Sequence, residues 1–321
     1  MPHSSNLSFV GIAKETVPGT GVPPTGFIPV SAPSGKDMVT ELADKGLRGA
    51  MVETYDEILG VISSTFDLGG DVFPDTIGWP LAGILGDVVT TGSAAPFTHA
   101  MAALNSGDGQ PKSYTLADYY AVAARLYPGA KFSEVAFKFS GDAMFTWSAK
   151  TTAFGSKSTT KPTSSFTNIP PLAGWVGTVK LGGAALTTVI DGELNIKRAV
   201  SVVNTVNASQ DPASIWCGAV TCDGKLTVIM EDETFLNAYL AGTATTLEVD
   251  YSAGVAAAAV GVNFKMSKVK YTLAEIDRSK DYVTIGITWE GLANTTDIGA
   301  SAGYSPLKVT LKNATATGIY L

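Results

Sequence analysis

Alternation with a period of two is the feature that most narrows what this chain can fold into. Along Ser133–Phe139, Val135, Phe137 and Phe139 fall on one side and Glu134 and Lys138 on the other. The pattern returns in Lys268-Val269-Lys270-Tyr271-Thr272-Leu273, and again from Tyr282 to Trp289 with Val283, Ile285, Ile287 and Trp289. A strand turns successive side chains to opposite faces, so β-branched and aromatic residues at every second position predict half-buried antiparallel strands. Asp191-Gly192, Asp223-Gly224, Gly69-Gly70 and Ser140-Gly141-Asp142 carry turn chemistry and are expected to close hairpins. With 34 glycines and 16 prolines among 321 residues, long helices have little room.

Three short helices are expected. One covers residues 76–86, with Asp75 or Thr76 as cap and Pro80 in the first turn. A second covers 231–242, where Glu231-Asp232-Glu233 suits the positive end of the helix dipole and Gly242 supplies the stop. A third, weaker one falls at 115–126. Residues 155–171, rich in Ser, Thr and Pro, read as a linker between two similar halves. Thr65–Gly70 aligns with Val220–Lys225, each followed by a strand and a short helix. Val135–Phe139 aligns with Val269–Leu273, and Phe145-Thr146-Trp147 with Ile287-Thr288-Trp289. An ordered series of this kind points to internal duplication. The expected division is an N-terminal arm and first strand at 1–30, a first domain at 27–154, the linker at 155–171 and a second domain at 172–321.

Composition excludes several classes of function. A chain that is 45% apolar and 16% charged packs a core rather than staying disordered. Its 22 Lys and Arg against 29 Asp and Glu, for a net charge of −7, argue against a grip on nucleic acid. The apolar run 253–262 is half the ~20 residues that a spanning helix needs. The opening Met-Pro-His-Ser-Ser-Asn-Leu lacks the form of a signal peptide, which makes the cytoplasm the default compartment. Cys217 and Cys222, five apart in a strand-like stretch, are expected on opposite faces, which disfavours a disulfide, and they have no partners for a zinc site. Gly299-Ala300-Ser301-Ala302-Gly303 has the spacing of a nucleophile elbow. That chemistry needs a later histidine, and His3 and His99 both lie upstream, while Pro306 interrupts any following helix. Gly107–Ser113 lacks the glycine before lysine that a phosphate loop requires. No enzyme, cofactor or metal site is expected.

One resemblance gives these absences a meaning. The run Gly11-Ile12-Ala13-Lys14-Glu15-Thr16-Val17-Pro18-Gly19-Thr20 and its continuation Pro24–Val30 are followed in order by Ala173-Gly174-Trp175, Asp191–Arg198, Ser209-Gln210-Asp211-Pro212 and Ser305–Ala314. This series resembles a major tail tube protein family of long-tailed, siphovirus-type phages, with residues 92–112 fitting least. The resemblance implies a mainly β fold of two tandem tail-tube-type β-sandwich domains. Each has a short flanking helix, and the inner sheets join into a ring barrel. It implies a structural virion protein, made and assembled in the bacterial cytoplasm, whose rings stack into the conduit for DNA. The implied partners are further copies of the chain, tape-measure, tail-tip and terminator proteins, and double-stranded DNA in passage, with no membrane.

On that reading, acidity keeps DNA off the wall, since each Lys–phosphate contact would add affinity. Asp67, Glu134 and Glu193 are expected to face the lumen, partly offset by Lys138. The arm 1–26 and the polar stretches 31–50 and 199–214 are expected to touch stacked rings, through Lys14, Glu15, Lys36, Asp37, Arg48, Asn207 and Asp211. If each half gives about four strands to a barrel of about 24, three chains close a ring, whereas six chains would be needed if one half were a decoration. A β-sandwich adhesion or carbohydrate-binding module is the alternative reading.

Overall fold

The computed structural model describes residues 3–254 and 258–320. Its first half contains β1 (Phe9–Lys14), β2 (Gly26–Ile28), β3 (Ser34–Asp44), β4 (Asp56–Asp71), α1 (Gly78–Leu85), β5 (Gly86–Thr91), β6 (Phe97–Ala103), β7 (Tyr114–Tyr119), β8 (Ala124–Ser140), β9 (Thr146–Phe154) and β10 (Lys157–Thr159). The second contains β11 (Gly177–Leu181), β12 (Ala184–Leu186), β13 (Val189–Val203), β14 (Ser214–Ile229), α2 (Thr234–Ala241), β15 (Thr245–Ala253), β16 (Val260–Asp277), β17 (Thr284–Gly291) and β18 (Lys308–Asn313). The protein is mainly β, as the alternation predicts.

Eight strands form one continuous antiparallel sheet in the order β3–β4–β9–β8–β13–β14–β17–β16. The first four belong to the first half and the last four to the second, in the same internal order. The seam is β8 on β13, running from Ser140 opposite Asp191 to Glu134 opposite Lys197. The N-terminal parts of the long strands β8 and β16 leave this sheet and enter a second layer. In the first half that layer is β2–β1–β7–β8–β10. In the second it is β12–β11–β15–β16–β18, extended by β6 and β5. Element for element, β1–β4, α1 and β7–β10 repeat as β11–β14, α2 and β15–β18. The hairpin β5–β6 is the extra piece, and β6 lies within residues 92–112, the stretch that fits the resemblance least.

Between the layers a single apolar cluster runs through both halves, with Phe66, Phe137, Trp147 and Ile287 from one sheet and Ile12, Leu116, Phe264 and Val309 from the other. Phe137 and Phe264 meet at 4.7 Å between ring centres, and Phe145 stacks on Tyr251 at 4.0 Å. Helix α1 carries no charge and is buried along its whole length, so it acts as a plug in the core. Helix α2 buries only Phe235, which leans on Tyr271. Both helices stop at a left-handed glycine, Gly86 and Gly242.

Several expectations need correction. Asp191-Gly192, Asp223-Gly224 and Gly69-Gly70 lie inside long strands, and only Ser140-Gly141-Asp142 turns between strands. The glycines admit bulky neighbours: a Cβ on Gly192 would strike the Phe139 ring, and one on Gly224 would strike Trp289. Gly70 faces Trp147 as Gly224 faces Trp289, which shifts the alignment of β4 with β14 by one residue from the sequence match. Phe137 faces Trp147 as Tyr271 faces Trp289, in the register expected. No helix forms at 115–126; β7 and the start of β8 occupy it. Cys217 and Cys222 are unbonded, and both are buried in spite of the odd spacing because a bulge between them resets the alternation. Three residues of the expected linker, Lys157–Thr159, pair with β8. Among the described residues no helix is long and apolar enough to cross a membrane; part of the run 253–262 lies outside them.

Candidate functional site: the open sheet face and its edges

One face of the eight-stranded sheet covers the core; the other is largely polar and carries charged side chains among Ser, Thr, Asn and Gly. Asp67, Glu134, Lys138 and Glu193, picked from sequence, all stand on this open face. Strand register arranges them in a row with residues that sequence reading missed. Asp67 lies opposite Lys150, Lys150 opposite Glu134, and Glu134 opposite Lys197. Lys197 reaches diagonally to Asp223, which is opposite Glu290, and Glu290 is opposite Lys270. A second row sets Glu193 between Lys138 and Lys225.

Two links of the first row are closed ion pairs. Lys150 Nζ donates to Glu134 Oε2 at 2.7 Å, and Lys197 Nζ donates to Asp223 Oδ2 at 2.8 Å. Hydrogen bonds to these carboxylates hold both ammonium groups above the ordinary lysine range. The signal for Lys150, Lys197 and Asp223 was present in the alternation of β9, β13 and β14. What sequence could not give is the cross-strand register that makes them neighbours.

The sheet ends at β3 on one side and at the C-terminal part of β16 on the other, and among the described residues neither edge has a further strand. The hairpin β3–β4 projects beyond its partners, and its tip leaves Leu47 and Met51 fully exposed, with Leu42, Ile58 and Leu59 more than half exposed. The tip is braced internally: Lys45 pairs with Glu53 at 2.7 Å, and Arg48 pairs with Asp44 and covers the Tyr55 ring. The matching tip in the second half, between β13 and β14, folds back onto the first half. Gln210 accepts from Ile62 N at 2.9 Å and donates to the carbonyls of Leu59 and Gly60.

The residues expected to touch stacked rings therefore divide. Lys36, Arg48 and Asn207 are exposed. Asp211 is engaged within the chain by Lys157 at 3.4 Å, and Lys14 Nζ donates to Gly318 O at 3.1 Å. Asp37 accepts from Ser64 and Ser156; burial pushes its carboxyl up, but these bonds and Arg125 outweigh it and leave it below the usual range. Glu15 is a correction. It is only 3% exposed, and its two oxygens accept from Gly19 N, Ser113 Oγ, Thr115 Oγ1 and Gly129 N at 2.7–2.9 Å. It buckles the N-terminal segment to β7 and β8 and offers nothing outside. Residues 1 and 2 of the expected arm lie outside the described residues.

Other polar groups are structural too. Ser301 Oγ donates to Asp87 Oδ2 at 2.6 Å and accepts from Asn105 N, clipping one loop to β5. His99 is fully buried between Thr90 Oγ1 at 2.8 Å and Asn313 Oδ1 at 2.9 Å. At the seam of the two halves, buried Arg198 donates to Gly218 O at 2.7 Å, Ile84 O at 3.0 Å and Gly109 O at 2.8 Å.

A mainly β chain with a continuous charged sheet face and two bare edges has the form of a self-assembling shell or tube subunit. Residues 5–302 match the family model described as phage tail tube protein, and the chain belongs to that family. Its function is accordingly that of a structural tail tube protein, and the family is not one of enzymes. No curated protein matches the chain.

Proposed function

We propose that this chain is a duplicated tube subunit, and that three copies close one ring of the phage tail tube. The observation that carries the reading is the strand quartet β3–β4–β9–β8, repeated in order as β13–β14–β17–β16. Inside the chain the two quartets join edge to edge through β8 and β13. The remaining edges, β3 and β16, are the corresponding ends, and a neighbouring copy satisfies both at once. Eight strands from each of three chains give a barrel of about 24. At ~4.8 Å between strands and a ~40° tilt, its backbone diameter is about 45–50 Å. Barrels of 16–18 strands already leave an aqueous channel.

In such a ring the open face is the lumen wall, with Asp67, Glu134, Lys138 and Glu193 on it, and DNA passes along it without specific binding. The projecting tip of β3–β4, with Arg48 on it, reaches the next ring; Lys36 lies at the other end of β3, and Asn207 at the β13–β14 tip. Tape-measure, tail-tip and terminator proteins are the expected partners in the tail, and assembly takes place in the host cytoplasm. Helical reconstruction of tubes assembled from the purified chain tests the stoichiometry. Three chains per ring are expected; six would overturn the duplication.

A further inference from the structure

We infer that the lumen wall avoids DNA by occupying its own lysines with carboxylates across the strands, and not through net acidity alone. The inference rests on the open face being the lumen. The row Asp67, Lys150, Glu134, Lys197, Asp223, Glu290, Lys270 crosses seven of the eight strands and has three cations among four anions. A DNA strand sliding past meets each of these lysines beside an anion. Glu134 lies between Lys150 and Lys197, and Asp223 holds Lys197 from the other side. In the second row one carboxylate, Glu193, lies between Lys138 and Lys225.

The sheet geometry makes this pairing persistent. Exposed ion pairs are individually weak, with the median at about 0–1 kcal/mol, because two long side chains must be held in one arrangement. Here the strands hold the Cβ atoms of directly opposite residues ~4.5–5.5 Å apart, so a lysine that leaves one carboxylate stays beside the next. A phosphate drawing a lysine out of the row has to part it from a carboxylate and then approach that same carboxylate. The counterion release that drives Lys–phosphate binding is largely cancelled. An equally acidic wall with unpaired lysines would attract DNA at those points and repel it between them, giving a sticky path with the same net charge.

The test separates pairing from net charge. E134Q/D223N takes the chain from −7 to −5, frees Lys197 from both of its row neighbours and leaves Lys150 with Asp67 alone. E231Q/D281N makes the same change at exposed positions off the open face. Binding of each purified full-length chain to a short fluorescent DNA duplex is read by anisotropy across a salt series, with thermal melts to verify folding. Wild type and E231Q/D281N are expected to show no binding at low salt. E134Q/D223N is expected to bind, with log K falling against log salt at a slope of about −0.9 for each freed lysine. Adding K150Q/K197Q to that variant is expected to abolish the gain. DNA binding by wild type, equal binding by the two charge-matched variants, or no gain in folded E134Q/D223N would each overturn the inference. None of these outcomes bears on ring stoichiometry, which microscopy decides independently.

Discussion

Replacing Arg198 by methionine tests whether the two halves are locked together by one side chain. Arg198 projects from β13 in the second half and is 6% exposed. Its guanidinium binds the carbonyls of Ile84, at the end of α1, and Gly109, both in the first half, as well as Gly218 beside it. The cation also meets the negative end of the α1 dipole. Methionine keeps most of the stem and removes all three donors, leaving three carbonyls without this partner. Hydrogen bonds to charged groups contribute ~1.5–3 kcal/mol each, but the cost of burying the guanidinium disappears with it. Three buried carbonyls left unsatisfied at about 1–3 kcal/mol each, less the recovered desolvation of the guanidinium, give a net loss of about 3–5 kcal/mol. Unfolding entropy of ~2.1 cal/mol/K per residue over 321 residues gives about 0.7 kcal/mol/K, so Tm should fall by about 4–7 °C. R198K, whose single ammonium cannot serve three separated carbonyls, should lie between wild type and R198M. Scanning calorimetry gives both numbers. A shift within ~1 °C for R198M would refute the argument and place the strength of the seam in β8–β13 pairing and the other contacts between the halves.

Three further outcomes are expected. His99 has its pKa lowered below the ordinary 6.5, chiefly by burial, so the unfolded chain takes up the proton first. Its stabilisation is complete above about pH 6.5 and falls as pH drops below that value; melts at pH 7.5 and 5.5 should differ less in H99Q than in wild type. G224A, whose methyl would strike Trp289 and the Glu193 carbonyl, should cost about 1–3 kcal/mol in denaturant titrations. G70A, at the matching position with its nearest contacts at 3.4 Å, should lie within about 1 kcal/mol of wild type. L47S/M51S, at two fully exposed positions, should leave Tm unchanged while electron microscopy shows no stacked tubes; normal tubes would remove the tip from the ring-to-ring contact.

The strands were legible because each needs only local alternation: Val135, Phe137 and Phe139 sit in the core as their spacing implies. Both true helices were legible for a related reason, an apolar run closed by a glycine. Long-range information was not available in the same way. Gly192 and Gly224 look like turn residues until Phe139 and Trp289 are placed against them. Cys217 and Cys222 look opposed until a bulge intervenes. On the open face, Asp67, Glu134, Lys138 and Glu193 could be picked as polar strand positions. That Lys150 and Lys197 flank Glu134 depends on which strands are neighbours, and β8 meets β13 only because the halves join there. Glu15 misled for the opposite reason: a lone carboxylate near the N-terminus reads as surface, and only the fold supplies the four donors around it.

The pairing of β6 with β18 has a consequence for the order of events during synthesis. His99 and Asn313, bonded across these strands, are 214 residues apart, so β6 keeps a bare edge until β18 has been translated. The first half can collapse early, since β1–β4 and β7–β10 find partners among themselves, but its extra hairpin waits for β18 to leave the ribosome. A nascent chain is thus held short of its finished shape.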